Sequence, residues 1–180
     1  MNRDAAAWIA TVAGKRFGVK GPRAAEILAA SGIAVPARAN SWAALGGDTA
    51  DVVARLGNTE FFIESHGGFP GLAALEARLA QAEPGAYPVL REDFAIALGG
   101  SAAPGVLAQV CNIDFAALDL AARPIVMTSM IGVGVLVLPQ VADAPPDRGM
   151  VYRIWCDPSF GSYLQSELEA AAQGSTRKTG

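Results

Sequence analysis

Four basic residues surround the first glycine turn of the chain and form its clearest candidate binding site. Lys15, Arg16, Lys20 and Arg23 flank Gly21, directly before a segment with the pattern of a helix. The N–H groups at a helix N-terminus attract negative charge, and nearby cations strengthen that attraction. We therefore consider a weak anion site here, for the carboxylate tail of a small ligand or for an acidic patch of a partner. The alternative is a solvated strand edge and loop.

Four aspartates are the candidates for a general base. Asp157 precedes Pro158 and is expected to act as the N-cap of the last helix. Asp93 precedes a strand in an exposed turn, and Asp114 follows a helix end, where it caps or turns the chain. Asp119 lies in a short loop without an identifiable partner. We therefore predict no catalytic residue in this chain.

The histidine, the cysteines and the second glycine turn give little support for a catalytic, metal or phosphate site. His66, the single histidine, lies beside two glycines in a predicted turn with no nucleophile pattern around it, which indicates a surface loop. Cys111 and Cys156 lie in apolar segments and are expected to be buried, reduced thiols. A metal site would need more ligands nearby. Residues 99–101, Gly-Gly-Ser, open a helix as phosphate loops do, but the Lys-Ser/Thr of such loops is absent.

Two further pairs of residues have a structural and a functional interpretation. Arg55 and Glu60 flank a predicted hairpin turn, and a weak cross-strand ion pair is favoured over a ligand clamp. Trp42 and Trp155 are expected in the core, although aromatic residues on an apolar surface also mark interfaces.

Composition excludes some classes of function. The chain has 180 residues, of which 52% are hydrophobic and 17% charged, below the roughly 25% of an average domain. With a mean hydropathy of +0.30, part of the surface is expected to be covered. A net charge of −3 argues against nucleic-acid binding, which needs a basic face.

Neither a membrane span nor a targeting segment is predicted. Residues 124–139 form the most apolar run, but it is too short to span a bilayer and reads as two buried strands. Residues 5–14 are mildly apolar without the basic start of a signal peptide. We expect a cytoplasmic protein.

The elements that position these residues occur twice. Residues 16–28 and 93–107 each read as an apolar strand, a glycine turn and a short Ala-rich helix. Gly21 and Leu28 match Gly100 and Leu107 at one offset of 79 residues. Each half is predicted as β-α-β-β-β-α, which gives an α+β fold with antiparallel sheets and helices packed outside.

The predicted halves span residues 1–83 and 89–174, joined by a linker at 84–88 and followed by a flexible tail at 175–180. The predicted elements of the first half are strands 17–20, 40–45, 51–56 and 60–65 with helices 22–30 and 70–82, the latter burying Leu72, Leu75 and Leu79. The second half has strands 94–98, 125–130, 133–138 and 150–156, a helix at 102–110, and a last helix that buries Phe160, Tyr163, Leu164 and Leu168 and ends at Gly174.

Five segments in chain order carry a resemblance to a known family. They are residues 17–25 (FGVKGPRAA), 55–61 (RLGNTEF), 111–114 (CNID), 135–138 (VLVL) and 152–164 (YRIWCDPSFGSYL). In this order they resemble the gamma subunit of heterotetrameric sarcosine oxidases. That subunit is similar in fold to the folate-binding part of the glycine-cleavage T-protein, an aminomethyltransferase, and the likeness spans about residues 14–172.

The resemblance implies a bacterial-type, non-catalytic gamma-type subunit. Its complex would oxidise sarcosine or a related N-methyl amino acid and pass the one-carbon unit to tetrahydrofolate. FAD, FMN, NAD and tetrahydrofolate would lie on other subunits, and this chain would bind none of them alone. The expected partners are the alpha and beta subunits, with a delta subunit, and neither nucleic acid nor membrane.

Two alternatives stay open. A stand-alone T-protein-like protein would bind tetrahydrofolate or a small acid at Lys15, Arg16, Lys20 and Arg23. A general interaction module would serve a diverged partner. T-proteins use a catalytic aspartate, a role that we assign to none of the four aspartates considered above, and a complete T-protein is roughly twice as long.

Overall fold

The computed structural model describes residues 7–46, 48–67, 69–81, 84–142 and 149–176, with ten strands and four α-helices among them. Three 3₁₀ turns complete the described elements: Phe115–Ala117, Leu120–Ala122 and Pro158–Phe160. The helices are α1 (Ala24–Ala30), α2 (Pro70–Ala80), α3 (Ala103–Val110) and α4 (Gly161–Thr176). The strands are β1 (Trp8–Thr11), β2 (Lys15–Lys20), β3 (Ser41–Leu45), β4 (Asp48–Arg55), β5 (Glu60–Ser65), β6 (Tyr87–Leu90), β7 (Phe94–Gly99), β8 (Val126–Met130), β9 (Val133–Ala142) and β10 (Gly149–Cys156).

The chain forms two compact units, each with one antiparallel sheet. Among the described residues, one unit consists of 13–92 and the other of 7–12 together with 93–176. The strand orders are β3-β4-β5-β2-β6 in the first and β1-β7-β10-β9-β8 in the second. The predicted α+β class is confirmed, and each unit contains the predicted β-α-β-β-β-α order together with one further strand.

In the unit of residues 13–92, alternate strand residues pack against α1 and α2. Val19 of β2 and Ile63 of β5 are fully buried in one core with Leu28 of α1. Full burial of such a side chain stabilises the fold by about 1.5–3 kcal/mol. The leucine stripe predicted for α2 is confirmed, since Leu72, Leu75 and Leu79 are all buried in this core.

In the second unit, α3 and α4 cover one face of the sheet. Leu107 of α3 and Leu164 and Leu168 of α4 pack with Ile96 of β7 and Ile154 of β10. The predicted buried side of α4 is therefore correct for the two leucines.

The prediction for the rest of α4 needs correction. Phe160 and Tyr163 are 50% and 46% exposed rather than buried. Phe160 lies in a 3₁₀ turn before the helix, and Tyr163 precedes Leu164 by one residue, about 100° around the helix. Gly174 does not end the helix, which continues to Thr176, because an isolated glycine weakens a helix without terminating it.

Two strands were not predicted, and they change where the two units divide. β1 pairs with β7 through Trp8 opposite Gly99, and β6 pairs with β2 through Pro88 opposite Val19. The predicted linker at residues 84–88 thus contains the start of a strand. Both pairings are non-local, so neither is visible in the local pattern of a short segment. Part of the predicted tail, residues 177–180, lies outside the described residues.

Candidate functional site

The basic residues of β2 lie against carboxylates of neighbouring elements. Arg16 Nε donates to Glu64 Oε2 at 2.7 Å, and this pair is almost entirely buried. Lys20 Nζ lies 3.9 Å from Glu60 Oε2, and Arg91 donates to the other oxygen of Glu60 at 3.3 Å. The register of the antiparallel pair β2–β5 produces both contacts, since residues 16 and 64 and residues 20 and 60 lie opposite each other.

The other two members of the predicted cluster are also paired. Arg23 forms a two-point ion pair with Glu26 at 3.0 and 2.8 Å and donates to the carbonyl of Pro84 at 3.2 Å. The bonds from Arg23 hold the pKa of Glu26 below its ordinary value. Lys15 contacts Glu76 of α2.

The helix that was expected to contribute to an anion site is short. α1 has seven residues, and the backbone N–H groups of Arg23 and Ala24 already donate to the carbonyls of Gly85 and Gly21. The structure therefore shows cations with carboxylate partners at this turn, and anion binding there stays a prediction.

A polar cluster that was not predicted joins the ends of β4 and β5. Ser65 Oγ donates to Asp51 Oδ2 at 2.7 Å, and the backbone N–H of His66 donates to Asp51 Oδ1 at 2.7 Å. His66 Nδ1 lies 3.0 Å from the same oxygen. The predicted hairpin contained the signal for this cluster, because its register brings residue 51 opposite residue 65.

The hydrogen bonds of this cluster fix the Asp51 carboxylate in place and favour its ionised form. Burial raises the pKa of Asp51, but the bonds from His66 and Ser65 outweigh it and leave the pKa below its ordinary value. The serine hydroxyl donates to the aspartate rather than to the histidine, so the Ser–His pair of an activated serine nucleophile is not formed here. His66 is exposed in a bend directly after β5, as predicted, and its ring also contacts Asp51.

Three of the four aspartates considered as general bases cap turns in the structure. Asp114, Asp119 and Asp157 each begin a 3₁₀ turn and accept a hydrogen bond from the backbone N–H two residues on, at 2.9–3.0 Å. The capping role predicted for Asp157 and Asp114 is confirmed, although the turn capped by Asp157 precedes α4. Asp93 lies directly before β7, as predicted.

Arg55 does not pair with Glu60, contrary to the prediction. Its guanidinium donates to four backbone carbonyls and lies over the ring of Phe61, 5.5 Å from the centroid. The two side chains point to opposite faces of the sheet, because residue 55 is opposite residue 61 and not residue 60. The four carbonyls belong to Pro36, Ala37, Gly57 and Asn58.

The cysteines and the central tryptophans are buried, as predicted. Cys111 and Cys156 are free thiols, and burial, with smaller contributions from two nearby carboxylates, raises the pKa of Cys156. Trp42 and Trp155 are also buried. Within the described ranges no group of three or more His, Cys, Asp or Glu residues is arranged to hold a metal ion.

Two clefts, each of about 350 Å³, open on the surface, and each unit contains one of them. The first lies between α3 and residues 111–116 and includes Leu107, Ala108 and Asp114. The second lies beside β6 and includes Arg16 and Arg91. The first cleft could not be predicted, because no periodic or charged motif in the sequence marks it.

None of the helices in the described part of the chain is long and apolar enough to cross a membrane. No family model matches the sequence, and no curated protein matches it.

Solved structures with a similar fold include the following two. A chain of the heterotetrameric sarcosine oxidase from Corynebacterium sp. U-96, solved in complex with pyrrole 2-carboxylate, matches with a TM-score of 0.71 and 22% identity, over 95% of this chain and 86% of that chain. Glycine cleavage system aminomethyltransferase T from Bartonella henselae matches with a TM-score of 0.62 and 18% identity, over 93% of this chain but only 46% of its own length. The chain therefore has the T-protein-like α+β fold that its sequence resembles.

Proposed function

We propose that this chain is the non-catalytic gamma-type subunit of a sarcosine oxidase-like flavoenzyme complex. The observation that carries the proposal is the match to a chain of a heterotetrameric sarcosine oxidase, which covers 95% of this chain and 86% of that one. The aminomethyltransferase, in contrast, is matched over 46% of its length. The length of this chain therefore corresponds to most of one oxidase subunit but to only about half of the transferase.

An exposed apolar edge supports a role in an assembly. Leu90 and Tyr87 are the most exposed large hydrophobic residues of the described chain, at 82% and 59%, and both lie on the edge strand β6. An edge strand presents unpaired backbone groups to which another chain can add, and these apolar side chains lie on such a strand. Tyrosine is also among the residues enriched at interface hot spots.

In the proposed complex the chemistry belongs to the larger subunits. FAD, FMN, NAD and tetrahydrofolate would be bound by the alpha and beta chains, which would oxidise sarcosine or a related N-methyl amino acid in the cytoplasm. This chain would brace them, with a delta subunit completing the assembly. In support, Asp114, Asp119 and Asp157 serve as turn caps rather than as bases.

Co-purification tests the proposal. This chain, tagged and co-expressed with untagged alpha and beta subunits from the same genome, should retain both through gel filtration. A tagged chain that elutes alone while alpha and beta co-elute without it would contradict the proposal.

The alternative of a stand-alone binder for tetrahydrofolate or a small acid has its own test. Calorimetric titration of the isolated chain with tetrahydrofolate should give no heat, because Lys15, Arg16, Lys20 and Arg23 already have carboxylate partners. Saturable heat that Lys20→Ala abolishes would favour the alternative.

A further inference from the structure

The cleft beside α3 has walls that are held in place by packing. Helix α3 ends at Val110 because Cys111 is extended, and the chain then turns into the 3₁₀ turn that begins at Phe115. Phe115 is buried and packs edge-on against Tyr152, with ring centroids 5.5 Å apart. The loop wall is thus anchored in the core, so the cleft of about 350 Å³ is formed before any partner arrives.

The surface around this cleft is nearly free of charge. Residues 94–122 contain no lysine or arginine, and their charged residues are Asp114 and Asp119. The exposed positions beside the cleft carry small side chains, among them Ala108 and Ala116. Depletion of charge is typical of the centre of an interface rather than of free surface.

The single charged residue that lines the cleft is held in a fixed position. Asp114 Oδ1 accepts a hydrogen bond from the backbone N–H of Ala116 at 3.0 Å, and its side chain remains exposed. Within the described residues Asp114 has no ion pair. Asp119 is held in the same way by Ala121 at 3.0 Å. The negative charge of the cleft is therefore fixed by the turn, and no cation of the described residues forms an ion pair with it.

We propose that the cleft receives an arginine side chain of a larger subunit of the complex. The apolar stem of an arginine packs against surfaces such as Ala108 and Ile113, while its guanidinium bonds a carboxylate, here Asp114. An acidic or purely apolar partner side chain would leave Asp114 uncompensated in the interface. The choice of partner rests on the proposed function, whereas the cationic chemistry follows from the cleft itself.

The test is binding of the tagged chain to the alpha and beta subunits, measured as a dissociation constant at low and high salt. Asp114→Asn keeps a side-chain oxygen for the cap but removes the charge, and should weaken binding at least tenfold at low salt. Ala108→Arg places bulk and positive charge at the cleft and should abolish detectable binding. Thermal unfolding shows whether each variant folds. If Ala108→Arg does not fold, the binding of Asp114→Asn alone decides whether the proposal holds.

Matched controls lie outside the cleft. Asp157→Asn changes an exposed aspartate that caps a 3₁₀ turn in the same way, and Ala30→Arg adds an arginine to an exposed position of α1. Both controls should bind like the wild type within twofold.

Each outcome separates this inference from the function on which it rests. If the wild-type chain does not bind alpha and beta, the proposed function fails and the inference falls with it. If the wild type and both cleft variants bind equally, the cleft is not the docking site although the proposed function stands. If Ala108→Arg weakens binding but Asp114→Asn does not, the occupant carries no cation and the assignment of an arginine is overturned.

Discussion

Gly21 and Gly100 open the same turn in the two halves of the chain, 79 residues apart. Their φ angles are +134° and +94°, a region that favours glycine. The carbonyl of Gly21 accepts from the N–H of Ala24 at 3.0 Å, and that of Gly100 accepts from Ala103 at 3.1 Å. The duplication seen in the sequence thus extends to the hydrogen bonds that start α1 and α3.

Replacement of Gly21 by alanine should destabilise the fold. The new Cβ would meet the backbone of Gly85 at a positive φ, so that neither strain nor contact can be relieved by a side-chain movement. We expect Gly21→Ala to lower the free energy of unfolding by about 2–3 kcal/mol in urea denaturation.

Gly57→Ala is the matched control for this prediction. A Cβ at Gly57 meets open space, and its φ is not in the positive range. Its effect should stay within about 0.5 kcal/mol of zero. Equal stabilities for the two variants would show that the turn at Gly21 is not constrained as described.

The buried pair of Arg16 and Glu64 should be costly to break from one side. Arg16→Met leaves the fully buried carboxylate of Glu64 without its closest cation, and should cost about 3 kcal/mol of unfolding free energy. The double variant Arg16→Met, Glu64→Leu removes both charges and should recover most of that loss. A double variant less stable than Arg16→Met would contradict this account of the pair.

The cluster at Asp51 predicts a pH dependence of stability. Because the pKa of Asp51 in the folded state lies below the ordinary value of 3.8, its ionised form stabilises the fold at neutral pH. This contribution should disappear as the pH falls below 3.8 towards the folded pKa. The difference in unfolding free energy between wild type and Asp51→Asn should therefore shrink on acidification.

Ser65→Ala offers a graded check of the same cluster. It removes the 2.7 Å bond to Asp51 but leaves the contacts from His66, so its pH dependence should lie between those of wild type and Asp51→Asn. Stability curves of wild type and Asp51→Asn that run parallel down to acid pH would refute the role of the carboxylate.

The two thiols should be protected in the folded chain. Cys111 and Cys156 are buried, and the raised pKa of Cys156 disfavours the reactive thiolate. A thiol reagent at neutral pH should label neither cysteine rapidly, and should label both in concentrated guanidinium chloride. Rapid labelling of native protein that Cys156→Ser removes would place that thiol at the surface.

The fold was predictable from the sequence wherever the determining contacts are local. The hairpin β4–β5 follows from alternating residues around the turn at Gly57, and its register implies the contact of Asp51 with Ser65. The pair of Arg16 and Glu64 depends instead on β2 pairing with β5, 48 residues away in the sequence. Such a register is set by tertiary packing.

The site was less predictable for a related reason. The cleft beside α3 depends on where Phe115 docks, and no spacing of charged or polar residues indicates that position. The basic cluster was visible as residue types, but its carboxylates come from β5, α1 and α2, whose placement is a tertiary property. Capping by Asp114 and Asp157, in contrast, is local and was predicted.

Native mass spectrometry of the tagged chain, expressed together with the alpha, beta and delta subunits, tests the central proposal most directly. A gamma-type role predicts one assembly in which a single copy of this chain is bound to the flavin-carrying subunits. If the tagged chain is found only unbound, at 18.5 kDa plus the mass of its tag, beside an assembly of the other subunits that lacks it, that role is contradicted.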